Sequence, residues 1–88
     1  MAVTNNAIRN KVIWVTGASS GIGEALAREL AAGGARLVLS ARRQTELERV
    51  RASLANSSTH LLLPLDITDN AAVLAAVNTI KQQIGGLD

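Results

Sequence analysis

Three glycines punctuate the stretch Thr16-Gly17-Ala18-Ser19-Ser20-Gly21-Ile22-Gly23, in the spacing G-x-x-x-G-x-G. Small residues let backbone N–H groups come close to a ligand. A helix opening at Gly21 would add unpaired N–H donors and a favourable dipole, an arrangement suited to an anion. The chemistry this favours is the holding of a phosphate. Gly17 permits a sharp turn off a strand, Gly21 lets the backbone approach a pyrophosphate, and Gly23 lets the helix pack tightly on a sheet. Ser19 and Ser20 bring hydroxyl donors. Gly17, Ser19, Ser20, Gly21, Ile22 and Gly23 are therefore the candidate cradle.

This is not the ATP-type loop G-x-x-x-x-G-K-[ST], because no Lys follows Gly23 and the two lysines are Lys11 and Lys81. The glycines gain weight from context. They follow an apolar run, open a helical pattern and begin a β-α-β unit of about 30 residues, as a dinucleotide site requires. A merely structural Gly-rich turn is the competing reading.

Two further positions bear on the ligand. A site for NAD usually carries an acidic residue after the second strand, about 20 positions on, to bind the ribose 2′-OH. Ala41 stands there, 20 residues after Gly21, and Arg42 and Arg43 follow. A carboxylate would repel a 2′-phosphate, whereas a guanidinium can hydrogen-bond it bidentately and stack on adenine. NADP(H) is thus preferred, with NAD(H) as the alternative, and Arg42 is the better contact because it is nearer the strand end. Solvated charges at a helix start are the plainer reading of both arginines. Asp66 follows the third strand, at the edge where open α/β sheets bind ligands. Its carboxylate could accept from the adenine amino group, with the Ile67 backbone beside it, or could cap the next helix. Position alone leaves both open.

The elements that must hold these residues alternate regularly. Lys11 to Thr16 is a β-branched apolar run that reads as a strand covered on both faces, with Trp14 most simply a packing residue. Gly21 to about Ala32 reads as a helix with Ile22, Leu26 and Leu30 on its apolar stripe and a Glu24–Arg28 pair, closed by Gly33-Gly34. Arg36 to Ala41 is a second strand. Gln44 to Leu54 is a second helix, with Thr45 and Glu48 matching a capping box and Leu47, Val50 and Leu54 facing inward. The cluster of Arg42, Arg43, Arg49 and Arg51 reads as a solvated face. His60 to Leu65 is a third strand whose Pro64 marks an edge or an end, and His60 is expected at the surface. Thr68 is a candidate N-cap, with Asp69 in the first turn. Val73, Val77, Ile80 and Ile84 space a third helix that ends at Gly85-Gly86.

The order β-α-β-α-β-α, with right-handed crossovers, predicts a parallel, doubly wound α/β sheet in strand order 3-2-1. The first strand would then lack a neighbour on one side. That edge is expected to belong to the N-terminal piece of a longer protein, halted before a fourth strand. A small complete domain with its edge hidden by dimerisation is the alternative.

Composition narrows the classes. The 88 residues are 48% hydrophobic, so one globular domain at most is expected. Trp14 is the lone aromatic residue, which weighs against a single-stranded nucleic-acid binder. The net charge of +2 is a poor argument for nucleic acid. There is no Cys and one His, which excludes disulfides, thiol catalysis and a thiolate metal site. No run is long enough to span a membrane, and Met1 to Asn10, expected to be a flexible N-terminus, lacks a secretory pattern. A cytoplasmic protein is the default.

Thr16 to Gly23 resembles the T-G-x-x-x-G-x-G cofactor motif of the short-chain dehydrogenases/reductases. Leu39-Ser40-Ala41-Arg42-Arg43 is similar to the second-strand ending of NADP-preferring members. Leu65-Asp66-Ile67-Thr68-Asp69 is similar to the L-D-V-T-D segment whose Asp contacts adenine, and Gly86-Leu87-Asp88 to the G-x-L-D before the fourth strand. The resemblance covers nearly all of the chain from Lys11 onward. It implies a partial Rossmann domain over residues 11–88 and an oxidoreductase that moves hydride between the cofactor and an alcohol or carbonyl. It also implies an active-site Ser and a Y-x-x-x-K motif further on. This chain has no Tyr, so no catalytic residue carries over. Some NADP-preferring members place a basic residue before the middle glycine, where Ser20 stands. Homo-oligomers are common in the family. The competing functional classes are a non-catalytic nucleotide-binding or regulatory module and a methyltransferase-like nucleoside binder. Ala41 argues against the latter.

Overall fold

The computed structural model describes residues 9–83. Three strands, β1 (Val12–Thr16), β2 (Arg36–Ser40) and β3 (Leu61–Leu62), alternate with three α-helices. These are α1 (Gly21–Ala32), α2 (Gln44–Ala52) and α3 (Asn70–Gln83), and a 3-10 turn at Ser57–Thr59 precedes β3. The strands are parallel and hydrogen-bonded in the order β1-β2-β3. Val12 to Thr16 register with Arg36 to Ser40, and Val38 and Leu39 with Leu61 and Leu62. Most of the N-terminal segment, Ile84, the Gly85-Gly86 helix end and Leu87-Asp88 lie outside the described residues. Of that segment, Asn10 donates from its backbone N–H to the Gly34 carbonyl at 3.0 Å.

The β1 and β2 side chains divide between two cores, as the period of two demands. Val15, Leu37 and Leu39 face Ala27 and Ala31 of α1 and Leu47, Val50 and Leu54 of the α2 region. Val12 and Val38 face Ile80 of α3, with Trp14, Leu61 and Leu63 packed around them. The helices therefore cover both faces of the sheet, α1 and α2 on one and α3 on the other. Trp14 donates from Nε1 to the buried Ser40 hydroxyl at 2.9 Å, which ties the middle of β1 to the end of β2.

Several local expectations need correction. The buried row of α1 is Gly23, Ala27 and Ala31, while Ile22 is 86% exposed and Leu26 40% exposed. The small residues let the helix lie close to β1 and β2. Of the larger row, about 100° away around the helix, Ile22 and Leu26 are turned outward while Leu30 is partly buried against the core. The capping box at Thr45 does not form. Arg43 is the N-cap of α2, no side chain caps it, and Glu48 instead accepts from Gln44 Nε2 at 3.2 Å. Before α3, Asp69 and not Thr68 caps the helix, its Oδ1 accepting from the Ala72 N–H at 3.1 Å.

The third strand is shorter than expected, yet its continuation still follows β2. Leu63 and Leu65 donate to the Leu39 and Ala41 carbonyls at 2.9 and 2.8 Å. Alternation then turns Pro64 away from β2, the position in an edge strand where a missing donor costs nothing. His60 is not at the surface: it is 4% exposed. Its Nδ1 accepts from the Leu37 N–H at 3.0 Å, and its Nε2 lies 2.8 Å from the Ala55 carbonyl. An acceptor Nδ1 and a donor Nε2 describe the neutral imidazole. The ring takes the Leu37 donor just before the β3 ladder begins.

Candidate functional site

A cavity of about 530 Å³ opens at the carboxyl ends of β1, β2 and β3. Its floor and walls include Gly17, Ser19 and Ser20 from the loop after β1, and Ser40, Ala41, Arg42 and Arg43 after β2. Leu65, Asp66, Ile67 and Thr68 close it from the β3 side. Seven of the ten residues singled out from the sequence thus meet in one place. Gly21 and Ile22 stand in the adjoining first turn of α1, and Gly23 is buried beneath it.

The loop geometry follows from its residue types. Gly17 adopts φ +67°, a left-handed conformation that favours glycine. Ala18, wholly buried, donates to the Ser40 carbonyl at 3.1 Å and carries the chain across the top of the sheet. Ser20 is the N-cap of α1. Its hydroxyl donates to the Gly17 carbonyl at 2.8 Å and accepts from the Gly23 N–H at 3.1 Å. The Ser20 hydroxyl is therefore committed to holding the loop in shape. A Cβ at Gly23 would run into the Gly17 carbonyl oxygen, with Ala18 Cα only 3.1 Å away. Gly23 thus makes room for the loop itself rather than for the sheet. A Cβ at Gly21 would meet nothing within 4 Å. The Gly21 and Ile22 N–H groups belong to the first helical turn, where no intrahelical acceptor exists.

On the far side, Asp66 and Thr68 form a tight turn. The Thr68 hydroxyl and backbone N–H donate to Asp66 Oδ1 at 2.6 and 2.9 Å. These two bonds hold the Asp66 carboxyl below its ordinary pKa of 3.8 against an opposing effect of desolvation, and the Arg42 charge adds a weaker push in the same direction as the bonds. Its Oδ2 lies 3.6 Å from Arg42 Nη2. Arg43 caps α2 with its backbone and keeps an exposed side chain at the cavity wall.

Ser40, Ala41, Glu46, Leu65 and Thr68 also line the cavity, though none was among the candidates. A D-x-T pattern, the signature of a side chain turning back on the backbone two residues on, was a local sign for Thr68. Glu46 is partnered by Arg49 at 3.2 Å, and Arg49 reaches Glu24 of α1 at 3.2 Å. The hydrogen bonds that Arg49 donates, to Glu24 first and then to Glu46, push its guanidinium pKa above the ordinary arginine value. Arg28 closes on Glu24 at 2.6 Å, the pair anticipated from the i,i+4 spacing. Among the described residues, no three His, Cys, Asp or Glu side chains gather into a metal site, and no helix is long and apolar enough to cross a membrane.

Comparison with known proteins agrees with this architecture. Residues 11–88 match the family described as short chain dehydrogenase. The chain is 50% identical over 86 residues to mouse dehydrogenase/reductase SDR family member 7, which covers 92% of this chain and 25% of the relative. It is 36% identical over 81 residues to the NADPH-dependent pterin aldehyde reductase of Arabidopsis thaliana, covering 92% of this chain and 34% of that one. Among solved structures, L-sorbose reductase from Gluconobacter frateurii, in complex with NADPH and L-sorbose, superimposes with a TM-score of 0.83 and 36% identity. That match covers 92% of this chain and 32% of the reductase. The chain thus spans about a quarter to a third of the length of these relatives. With its glycine loop, parallel sheet and matched sequence all in agreement, the chain belongs to the short chain dehydrogenase family.

Proposed function

We propose that this chain forms the adenosine and pyrophosphate part of an NADP(H) site, in an oxidoreductase acting on an alcohol or carbonyl substrate. The observation that carries the reading is the position of Arg42 and Arg43 on the cavity wall directly after Ala41, where a carboxylate would select NAD(H). The residues present fit a dinucleotide. The first turn of α1 offers the Gly21 and Ile22 N–H donors, and the space beside Gly21 is open to a pyrophosphate. The start of α2, uncapped by any side chain, adds its own N–H groups beside the two guanidinium groups.

When bound, the cofactor would donate or accept a hydride at its nicotinamide. The residues of this chain bind and orient. Arg42 pairs with the 2′-phosphate, and Asp66 Oδ2 with the adenine amino group. Asp66 Oδ1 is already taken by Thr68 and serves to fix the carboxylate's direction. The names of the pterin aldehyde reductase and the sorbose reductase complex, both of which specify NADPH, support the preference. The chain has no Tyr, and we propose that it does not turn over alcohols or carbonyls by itself. Calorimetric titration of the full chain with NADPH, NADH and S-adenosylmethionine tests the reading. NADPH is expected to bind most tightly. Equal binding of NADH would overturn the preference, and tighter binding of S-adenosylmethionine would overturn the assignment.

A further inference from the structure

The cavity holds a carboxylate that the proposed ligand should not tolerate. Glu46, in the first turn of α2, lines the same wall as Arg42 and Arg43. A free negative charge there would oppose a 2′-phosphate. It is not free: Arg49, one turn on, places Nε and Nη2 at 3.3 and 3.2 Å from Glu46 Oε1. The same guanidinium donates from Nη1 and Nη2 to Glu24 Oε1, both at 3.2 Å. Glu24 sits in the first turn of α1, beside the loop, and takes Arg28 on its other oxygen at 2.6 Å. Two arginines thus balance two carboxylates at the cavity ends of two helices. The Arg49 fork also bridges α1 to α2.

We infer that Arg49 is a positioning residue for cofactor selection: by holding Glu46 and Glu24, it keeps uncompensated negative charge away from the place of the 2′-phosphate. Arg49 does not line the cavity. This rests on the NADP(H) reading, because a ligand without the 2′-phosphate would be nearly indifferent to Glu46.

The test compares NADPH and NADH affinities of the full chain in five forms: the natural chain, R49Q, R49Q/E46Q, R51Q and R49K. Arg51 lies on the same helix and outside the cavity wall, so R51Q removes an equal charge without releasing Glu46. R49Q is expected to weaken NADPH about three- to fivefold and NADH by less than about twofold, the scale of a partly exposed ion pair. The difference should shrink at high salt, as screening requires. R49Q/E46Q should recover the natural ratio, and R51Q should leave it unchanged. If R49Q weakens both cofactors alike and E46Q gives no recovery, Arg49 is only a helix tie and the inference fails. If R51Q matches R49Q, the effect is one of net charge and the inference also fails. R49K, which keeps the charge with fewer donors, should fall between R49Q and the natural chain. It serves as the informative variant if R49Q does not fold. A natural chain that fails to prefer NADPH would instead overturn the underlying cofactor reading.

Discussion

Arg42 and Asp66 reach toward each other across the cavity, Nη2 to Oδ2 at 3.6 Å, from the ends of neighbouring strands. The pair is exposed and contributes little to stability. Its importance is geometric. It sets a cation and a fixed carboxylate side by side on the cavity wall, at the place proposed for an adenosine 2′-phosphate and its base.

Removing the cation separates two cofactors. Arg42→Ala is expected to weaken NADPH binding by about 1.5–3 kcal/mol, as for the loss of a charge-assisted hydrogen bond, and to leave NADH nearly unchanged. Calorimetry with both cofactors measures this. Equal losses would refute the 2′-phosphate contact.

The two glycines of the first helical turn should fail in different ways. Gly21→Ala adds a methyl to open space, so folding is retained or slightly strengthened, by about 0.5–1 kcal/mol. If the pyrophosphate approaches there, binding of both cofactors drops at least about tenfold, the loss expected when a well-placed contact worth roughly 1.5 kcal/mol is pushed away. Gly23→Ala drives its methyl into the Gly17 carbonyl, and the strain should cost about 1–3 kcal/mol of stability. Urea unfolding beside calorimetry resolves the two. A Gly23→Ala chain as stable as the natural one would contradict the packing described.

The His60 ring should be worth more than its volume. His60→Phe keeps a planar ring but strands the Leu37 N–H and the Ala55 carbonyl, at a cost of about 2–4 kcal/mol. Urea unfolding gives the energy, and faster hydrogen exchange at the Leu37 amide gives the location. Unaltered protection of that amide would show that the imidazole bond is dispensable.

The carboxylate of Asp66 predicts a pH effect whose sign follows from its depressed pKa. The folded chain holds the ionised form more firmly than the unfolded chain does, because of the Thr68 hydroxyl, the Thr68 N–H and then Arg42. The contribution is present above the ordinary value of 3.8 and is lost as pH falls through the lower folded-state value. Carboxyl NMR titration should place the Asp66 midpoint below 3.8. Thr68→Val should raise it part of the way back, since the N–H donor remains. A midpoint insensitive to Thr68→Val would assign the shift to another cause.

Much of this architecture was written locally. The β-branched run before Gly17, the helical spacing of Leu47, Val50 and Leu54, and the caps at Gly33-Gly34 each depend on neighbours a few residues away. Backbone sterics and side-chain period suffice to read them. Gly34, at φ +95°, occupies the left-handed place a helix end requires. The same holds for the loop spacing and for the absent carboxylate at Ala41.

What the tertiary structure alone decided depends on residues distant in sequence. His60 moved from surface to core because the Leu37 amide, 23 positions away, needed an acceptor. Ile22 and Leu26 turned outward because the helix orientation is set by how closely Gly23, Ala27 and Ala31 approach the loop and the sheet. Glu46 entered the cavity wall, and Arg49 bridged two helices, only once β2 brought the start of α2 beside the start of α1. Periodicity marks which residues share a face. The neighbour that buries or satisfies that face is fixed by packing across the chain.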